Sequence, residues 1–351
     1  MSSEPLFDEA RARQVVEKGR RAKWWRRKGS AKSGFKYLTH DNKEITDDDA
    51  LERIKALVIP PAWKHVRISP APTGKLQALG VDARGRIQYI YHPKFTESRQ
   101  RKNFAKVERF GEHLPRLREI TNEHISLDGF PREKVLAIMI RLINSLYIRI
   151  GTDKSARHFR TYGITTLGNR HLEIKRGGKV IFEFVGKSSI KHRKVLVDPE
   201  LAALLKELHD LGPSRKLFHY RDQDGKLRAV KPAEINAYLK SITGPEFSAK
   251  DLRTWGATLL AAIEFAEIGV AGNESQASKN VVKVVKRVAE SLGNTPAVCR
   301  LSYIHPRVID AYLKGTTLEE FSPGRRRPVK KIEAGYEPEE LSLLRMFDAP
   351  A

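Results

Sequence analysis

The chain runs to 351 residues, room for two ordinary domains or one large one, and its 40% hydrophobic and 30% charged composition is that of a soluble globular protein. No apolar run is long enough to span a membrane and no secretory signal is apparent, while the single cysteine, Cys299, excludes internal disulfides and a cysteine-rich zinc site and fits a reducing cytoplasm. A net charge of +23 with a pI near 10.0 calls for a polyanionic partner, nucleic acid first.

In chain order, the first forty residues read as a basic arm. Arg11, Arg13, Arg20, Arg21, Lys23, Arg26, Arg27 and Lys28 surround Trp24 and Trp25, with a weak helical stripe at Ala10, Val15 and Val16. Such a stretch is either a solvated charged helix or a phosphate-contacting arm with aromatic anchors. A helix is predicted over 46–57, opened by a capping-box spacing from Thr46 and stopped by the prolines at 60 and 61. The acids at 47–49 are helix-start residues on this reading, not metal ligands. Strands are predicted at 63–69, 76–81 and 86–92, the last two joined by a turn at 82–85. Ile87, Tyr89 and Tyr91 alternate onto one face, which leaves Gln88 on the other. The polar stretch 93–100 reads as a linker between a small domain, 1–95, and a larger one, 96–351.

Beyond it the chain turns helical. A charged helical region spans 99–124, broken near Pro115, and Pro131 opens a strongly apolar helix over 135–150 that ends in YIRIG. An arginine there, Arg149, either snorkels to the surface or is aimed at an anion. Three strands follow at 171–175, 180–185 and 191–197, with Lys187 at a hairpin tip, where a lysine is ordinarily just solvated. Helices are predicted at 199–211 and 232–242, and from the KDLRTWG segment through Phe265. A further helix over 281–292 carries Val281, Val284, Val285, Val288 and Leu292 on one face. Gly293 and Asn294 cap it, and a short helical stretch then carries Tyr303, followed by a helix at 306–313. The tail holds a basic knot at 325–328 and an acidic end. A tyrosine held this way is a candidate nucleophile, although most of the chain's 10 tyrosines should be packing residues.

In this order the segments YIRIG (Arg149), TYGITTL, FVGK (Lys187), KDLRTWG (Lys250, Arg253), LGNTP (Asn294) and SY (Tyr303) resemble those of the type IB DNA topoisomerases, specifically the compact poxvirus-like branch found in bacteria. IPPAW, LQALGVD and GRIQYIYHP extend the resemblance, which runs from about residue 45 to 313. It implies an α+β fold: a small β-rich N-terminal domain and a larger, mainly α catalytic domain with a three-stranded antiparallel sheet. It implies that Tyr303 becomes joined to a DNA 3′-phosphate, and it assigns DNA contacts to Lys250, Gln88, Tyr89 and Tyr91. The implied protein is a cytoplasmic, nucleoid-associated monomer that clamps double-stranded DNA. The residue types suit the chemistry. Arg149 and Arg253 can neutralise phosphoryl oxygens, Asn294 can donate to them without adding charge, and Lys187 can protonate the leaving 5′-oxygen. No cofactor is expected, neither ATP nor a metal ion, because the ester stores the bond energy and the cations supply the charge. Many members of the wider family carry histidine where Asn294 stands; asparagine keeps the donor but does not titrate. Two alternatives stand beside this reading. A tyrosine recombinase shares the constellation, but it usually has histidine at the position of Lys250 and a different N-terminal domain. A non-catalytic basic DNA-binding protein needs no such set.

Overall fold

The computed structural model describes residues 9–212, 214–321 and 335–350; the basic knot at 325–328 and the side chains of residues 9–11, Ala10 and Arg11 among them, lie outside what is described. The chain divides into two compact units, Met1–Lys102 and Asn103–Ala351.

The first unit contains α1 (Glu9–Arg21), β1 (Trp25–Ser30), β2 (Gly34–Leu38), α2 (Asp48–Ala56), β3 (Lys64–Ile68), β4 (Leu76–Val81) and β5 (Ile87–Tyr91). The five strands form one antiparallel sheet in the order β2-β1-β3-β4-β5. The basic arm is therefore a helix and a hairpin. Trp25 packs on a core of Ile45, Ile54, Val66, Ile68 and Ala78, and Trp24 on Val15, Leu79 and Val81. Neither tryptophan is a free anchor for nucleic acid. Arg27 is not free either: its guanidinium donates to the carbonyls of Ile59 (3.2 Å), Pro60 (3.0 Å) and Trp63 (2.7 Å). It thereby pairs backbone acceptors of the proline-rich IPPAW segment. The α2 cap is Asp47 rather than Thr46, its carboxylate accepting from the Ala50 N–H at 2.8 Å.

The expected linker is helical. It forms the start of α3 (Pro93–Glu112), because proline costs nothing where the first N–H would be unpaired anyway. The division between units falls inside this helix.

In the second unit α4 (Leu114–Ile125) follows at once, its Pro115 in the first turn accounting for the expected break. Then come α5 (Arg132–Leu146), α6 (Asp153–Phe159), β6 (Leu172–Lys175), β7 (Lys179–Val185), β8 (Lys191–Val197), α7 (Pro199–Asp210), β9 (His219–Arg221), β10 (Leu227–Ala229), α8 (Pro232–Thr243), α9 (Ala249–Ile268), α10 (Glu274–Leu292), α11 (Pro296–Ser302), α12 (Pro306–Leu313) and α13 (Pro338–Asp348). The three-stranded sheet is the expected antiparallel meander β6-β7-β8. Helix α5 is buried almost all round, from Val135 to Ile143, and packs against α4, α8 and α9. It stops earlier than its apolar run suggests. Tyr147 caps it in a left-handed conformation (φ 55°, ψ 32°), so Arg149 stands on the irregular segment beyond the helix rather than at its end.

Candidate active site

The site forms at the C-terminus of α10. Gly293 adopts the left-handed conformation (φ 64°, ψ 49°) that glycine takes without a Cβ penalty. The N–H of Asn294 then returns to the Ala289 carbonyl (2.9 Å) and that of Gly293 to the Glu290 carbonyl (3.1 Å). This helix stop leaves the carbonyls of Ser291, Leu292 and Gly293 without helical partners. Each receives a cation from a different part of the unit. Lys194 of β8 donates to Ser291 O. Arg253 of α9 donates to Leu292 O at 3.2 Å. Arg149 donates to Gly293 O at 3.3 Å and also to the Asn294 side-chain oxygen. The negative end of the helix dipole favours all three.

Local sequence sets each of these groups. Ser248 and Asp251 cap the start of α9, with the Ser248 N–H and hydroxyl both on the Asp251 carboxylate (2.9 and 2.7 Å). That turn buries Asp251 and Arg253 and leaves Lys250 exposed. The TYGITTL segment ties Arg149 to the hairpin. Ile164 N–H donates to Arg149 O (2.8 Å), Thr165 hydroxyl to Gly151 O (2.8 Å) and Tyr162 N–H to Val185 O (2.7 Å) at the end of β7. Only glycine fits at 163, because a Cβ there would lie 2.4 Å from the Arg149 carbonyl. Between β7 and β8 the turn carries Lys187, exposed, followed by Ser188 and Ser189 in left-handed conformation (φ 64° and 61°). Lys187, Arg149, His192 and Lys194 line one small cleft.

Tyr303 ends α11, its N–H on Cys299 O at 2.9 Å. Thr258 of α9 holds the following backbone: its hydroxyl accepts the His305 N–H at 3.1 Å and lies 3.1 Å from the Tyr303 carbonyl. Lys250 Nζ and the Arg253 guanidinium lie 5.9 and 5.8 Å from the centre of the Tyr303 ring. Burial alone would raise the phenol's pKa, but the charges of Arg253, Arg149 and Lys250 outweigh it and hold the group below its ordinary value. Burial, then the charge of Arg149, pushes Arg253 down to about 10, with Tyr303 acting the other way. Among the described residues, two buried donors at this place have no hydrogen-bond partner: Arg253 Nη1 and Asn294 Nδ2. Orphaned buried donors are costly and call for a ligand. A phenol whose pKa is lowered by neighbouring cations, beside such donors, can attack the centre of a bound oxyanion and form an ester.

The structure thus brings together Arg149, Arg253, Asn294, Tyr303 and Lys250, and sets Lys187 on the lip of the same cleft as Arg149. Gln88, Tyr89 and Tyr91 belong to the first unit. Tyr89 and Tyr91 are exposed and stacked at 6.1 Å, with Lys18 over the first ring and Arg99 over the second. Gln88 is tied to the Asp82 carboxylate at 2.8 Å, as its opposite parity implies. Two site residues were not expected, His192 and Lys194. His192 stacks on Phe184 at 5.0 Å and is wedged between the hairpin and the α10 turn: a Cβ on Gly186 or Gly293 would lie 2.5 or 2.0 Å from its ring. Burial, then Lys194, Arg149 and Arg253, lowers its pKa to about 4, so the imidazole is neutral. The signal for both was parity, since His192, Lys194 and Leu196 share the inward face of β8. His305, near Tyr303 in sequence, is no general base for it. Its Nδ1 accepts the Arg307 N–H (3.2 Å), so its Nε2–H faces Glu108 at 3.2 Å.

The fold joins a small antiparallel sheet unit to a larger, mainly helical unit that carries a cationic cluster around a tyrosine, and comparison with known proteins gives the family. The sequence profile described as "Eukaryotic DNA topoisomerase I, catalytic core" matches residues 92–320, and "Bacterial DNA topoisomerase IB, N-terminal domain" matches residues 34–82. The chain is 30% identical to "DNA topoisomerase 1B" of Acanthamoeba polyphaga mimivirus over 291 residues, 80% of this chain and 86% of the viral protein. It is 24% identical to "DNA topoisomerase I" of Monkeypox virus over 258 residues, 70% and 78% of the two chains. It is 26% identical to "DNA topoisomerase 1" of Rabbit fibroma virus over 242 residues, 67% and 72%. The chain belongs to the type IB DNA topoisomerase family, a family of isomerases.

Proposed function

We propose that this chain relaxes supercoiled duplex DNA by cutting and rejoining one strand through Tyr303. The carrying observation is the pair of buried donors without a partner among the described residues, Arg253 Nη1 and Asn294 Nδ2, beside a phenol held below its ordinary pKa. Tyr303 loses its proton to solvent and its oxygen attacks the scissile phosphorus. The bond to the 5′-oxygen breaks as the phosphotyrosyl ester forms, and Lys187 protonates the departing alkoxide. Arg149, Arg253 and Asn294 hold the non-bridging oxygens, where charge builds up. The freed end swivels, and its 5′-hydroxyl then attacks the ester and restores the strand. Bond energy is conserved in the ester, so no ATP is required, and the two arginines and Lys187 supply the positive charge, so no metal is. The exposed Tyr89–Tyr91 pair with its lysine and arginine neighbours supports a second, backbone-contacting surface, so that a monomer clamps the duplex.

Plasmid relaxation and covalent trapping test this. The wild-type chain should relax supercoiled plasmid in EDTA without ATP, and denaturant should trap a protein–DNA adduct. Binding should weaken steeply with salt as counterions are released. Tyr303→Phe should bind DNA and do neither. An adduct formed by Tyr303→Phe, or activity lost in EDTA and restored by magnesium, would overturn the proposal.

A further inference from the structure

Three consecutive carbonyls at the end of α10 are held by three cations, and the proposed chemistry uses only two of them. Lys194 is the third. It faces inward from β8, opposite Phe182 of β7, and its ammonium donates to the Ser291 carbonyl. A half-buried lysine kept for stability alone is usually paired with a carboxylate. This one lies on a neutral carbonyl with the buried Arg253 charge nearby; burial and that charge push its pKa down to about 8. The fold therefore carries an electrostatic cost at this position that an apolar side chain of similar volume would avoid.

We infer that Lys194 is a positioning residue for strand cleavage: by holding Ser291 O it fixes the turn that presents Asn294 to the scissile phosphate. This rests on the function proposed above. The reason lies in what the other two cations must do. Arg149 commits its donors to Gly293 O and the Asn294 side-chain oxygen, and those donors are what it must share with or turn toward an incoming phosphate. Arg253 keeps a spare donor, Nη1, but it too is drawn toward the phosphate. Lys194 is the tie that substrate does not recruit. With it in place, Ser291 stays anchored while the arginines re-aim, and the Gly293–Asn294 turn keeps its geometry.

The test is single-turnover adduct formation on duplex DNA by the full chain, with melting temperature measured alongside. Lys194→Met keeps the volume and removes the charge. It should melt within a few degrees of wild type or above it, since replacing a buried charge by an apolar group is often neutral or stabilising. It should bind DNA as wild type does, yet form adduct on the order of 10–100-fold more slowly, the scale of a small misplacement of a reacting group. Lys194→Arg should recover most of the rate. In an Asn294→Ala background the same Lys194→Met change should cost less than about 3-fold, because the group it positions is gone. Wild-type rate in Lys194→Met overturns the inference. So does a slow variant that also melts early and is not rescued by arginine, or a cost undiminished in the Asn294→Ala background. A wild-type chain that forms no adduct at all refutes the function itself, and this role with it; normal adduct in both wild type and Lys194→Met refutes the role alone.

Discussion

Gly293→Ala joins fold and site in one substitution. Two costs are separable. The left-handed backbone (φ +64°) penalises any L side chain by about 1–2 kcal/mol. The new Cβ would lie 2.0 Å from His192 Cε1, an overlap that only a shift of the turn or of the ring relieves, adding about 1–3 kcal/mol. The total is about 2–5 kcal/mol, a large part of a typical folding free energy. For a unit of this size it should lower the melting temperature by roughly 4–10 °C. Gly177→Ala is the control: its φ is similar, +73°, but nothing lies within 4 Å of the added Cβ, so only the backbone cost remains. His192→Ala in the Gly293→Ala background should return about 1–3 kcal/mol relative to additivity, because it removes the obstructing ring. Denaturant unfolding of these three variants and of His192→Ala alone reads both terms. If Gly293→Ala costs no more than Gly177→Ala, or the double variant is simply additive, His192 is not wedged against the turn as described.

Asn294→Ala should slow cleavage by on the order of 10²-fold, as for loss of one oxyanion donor, and Asn294→His should recover much of it; histidine no better than alanine would refute the donor role. Lys187→Ala should be severely slow on ordinary DNA but close to wild type on a substrate with sulfur at the 5′-bridging position, because a thiolate leaves without a proton; Arg253→Ala should stay slow on both, and equal slowing of Lys187→Ala on both would show that it is not the acid. His192 and His305 are both held near pKa about 4, below the ordinary 6.5, so the unfolded chain takes up protons first and stability should fall as pH drops from 6.5 toward 4. Glu108, whose burial raises its carboxyl, offsets part of this; His305→Gln should flatten the slope in urea midpoints by on the order of 2 kcal/mol across that window, and an unchanged slope would show that His305 is not buried neutral.

Much of the larger unit was legible because its periodicities are strong. The valine stripe of α10, the alternation of β8 and the proline-opened α12 stand where 3.6- and 2-residue repeats put them. The first forty residues were not legible. Arg26, Arg27 and Lys28 read as part of either a solvated charged helix or a phosphate-contacting arm, yet they sit in a strand, and what pairs Arg27 is backbone more than thirty residues away. No local rule carries that. The end of α5 was missed for a similar reason. The apolar run continues through Ile148, and the left-handed stop falls on Tyr147, which lacks the usual glycine signal. At the site, the order of motifs pointed to Arg149, Lys187, Lys250, Arg253, Asn294 and Tyr303. Which of them touch was not readable, since Arg149 and Asn294 are 145 positions apart.

His192 and Lys194 show what parity offers and what charge hides. Lysine and arginine flank them along β8, so residue type alone does not mark them, and only the inward face separates Lys194 from Arg193. The consequence for the site is electrostatic. A helix end presents several acceptors in a row and no formal charge, so it can hold cations without neutralising them. A carboxylate in the same place would bind Arg149 and Arg253 more tightly, and would compete with a phosphate for their donors while repelling it. Carbonyls give the arginines a geometry and leave them their charge. The amide of Asn294 extends the same logic by one residue. Its oxygen is committed to Arg149, so its orientation is set, and the nitrogen is what remains to meet an anion.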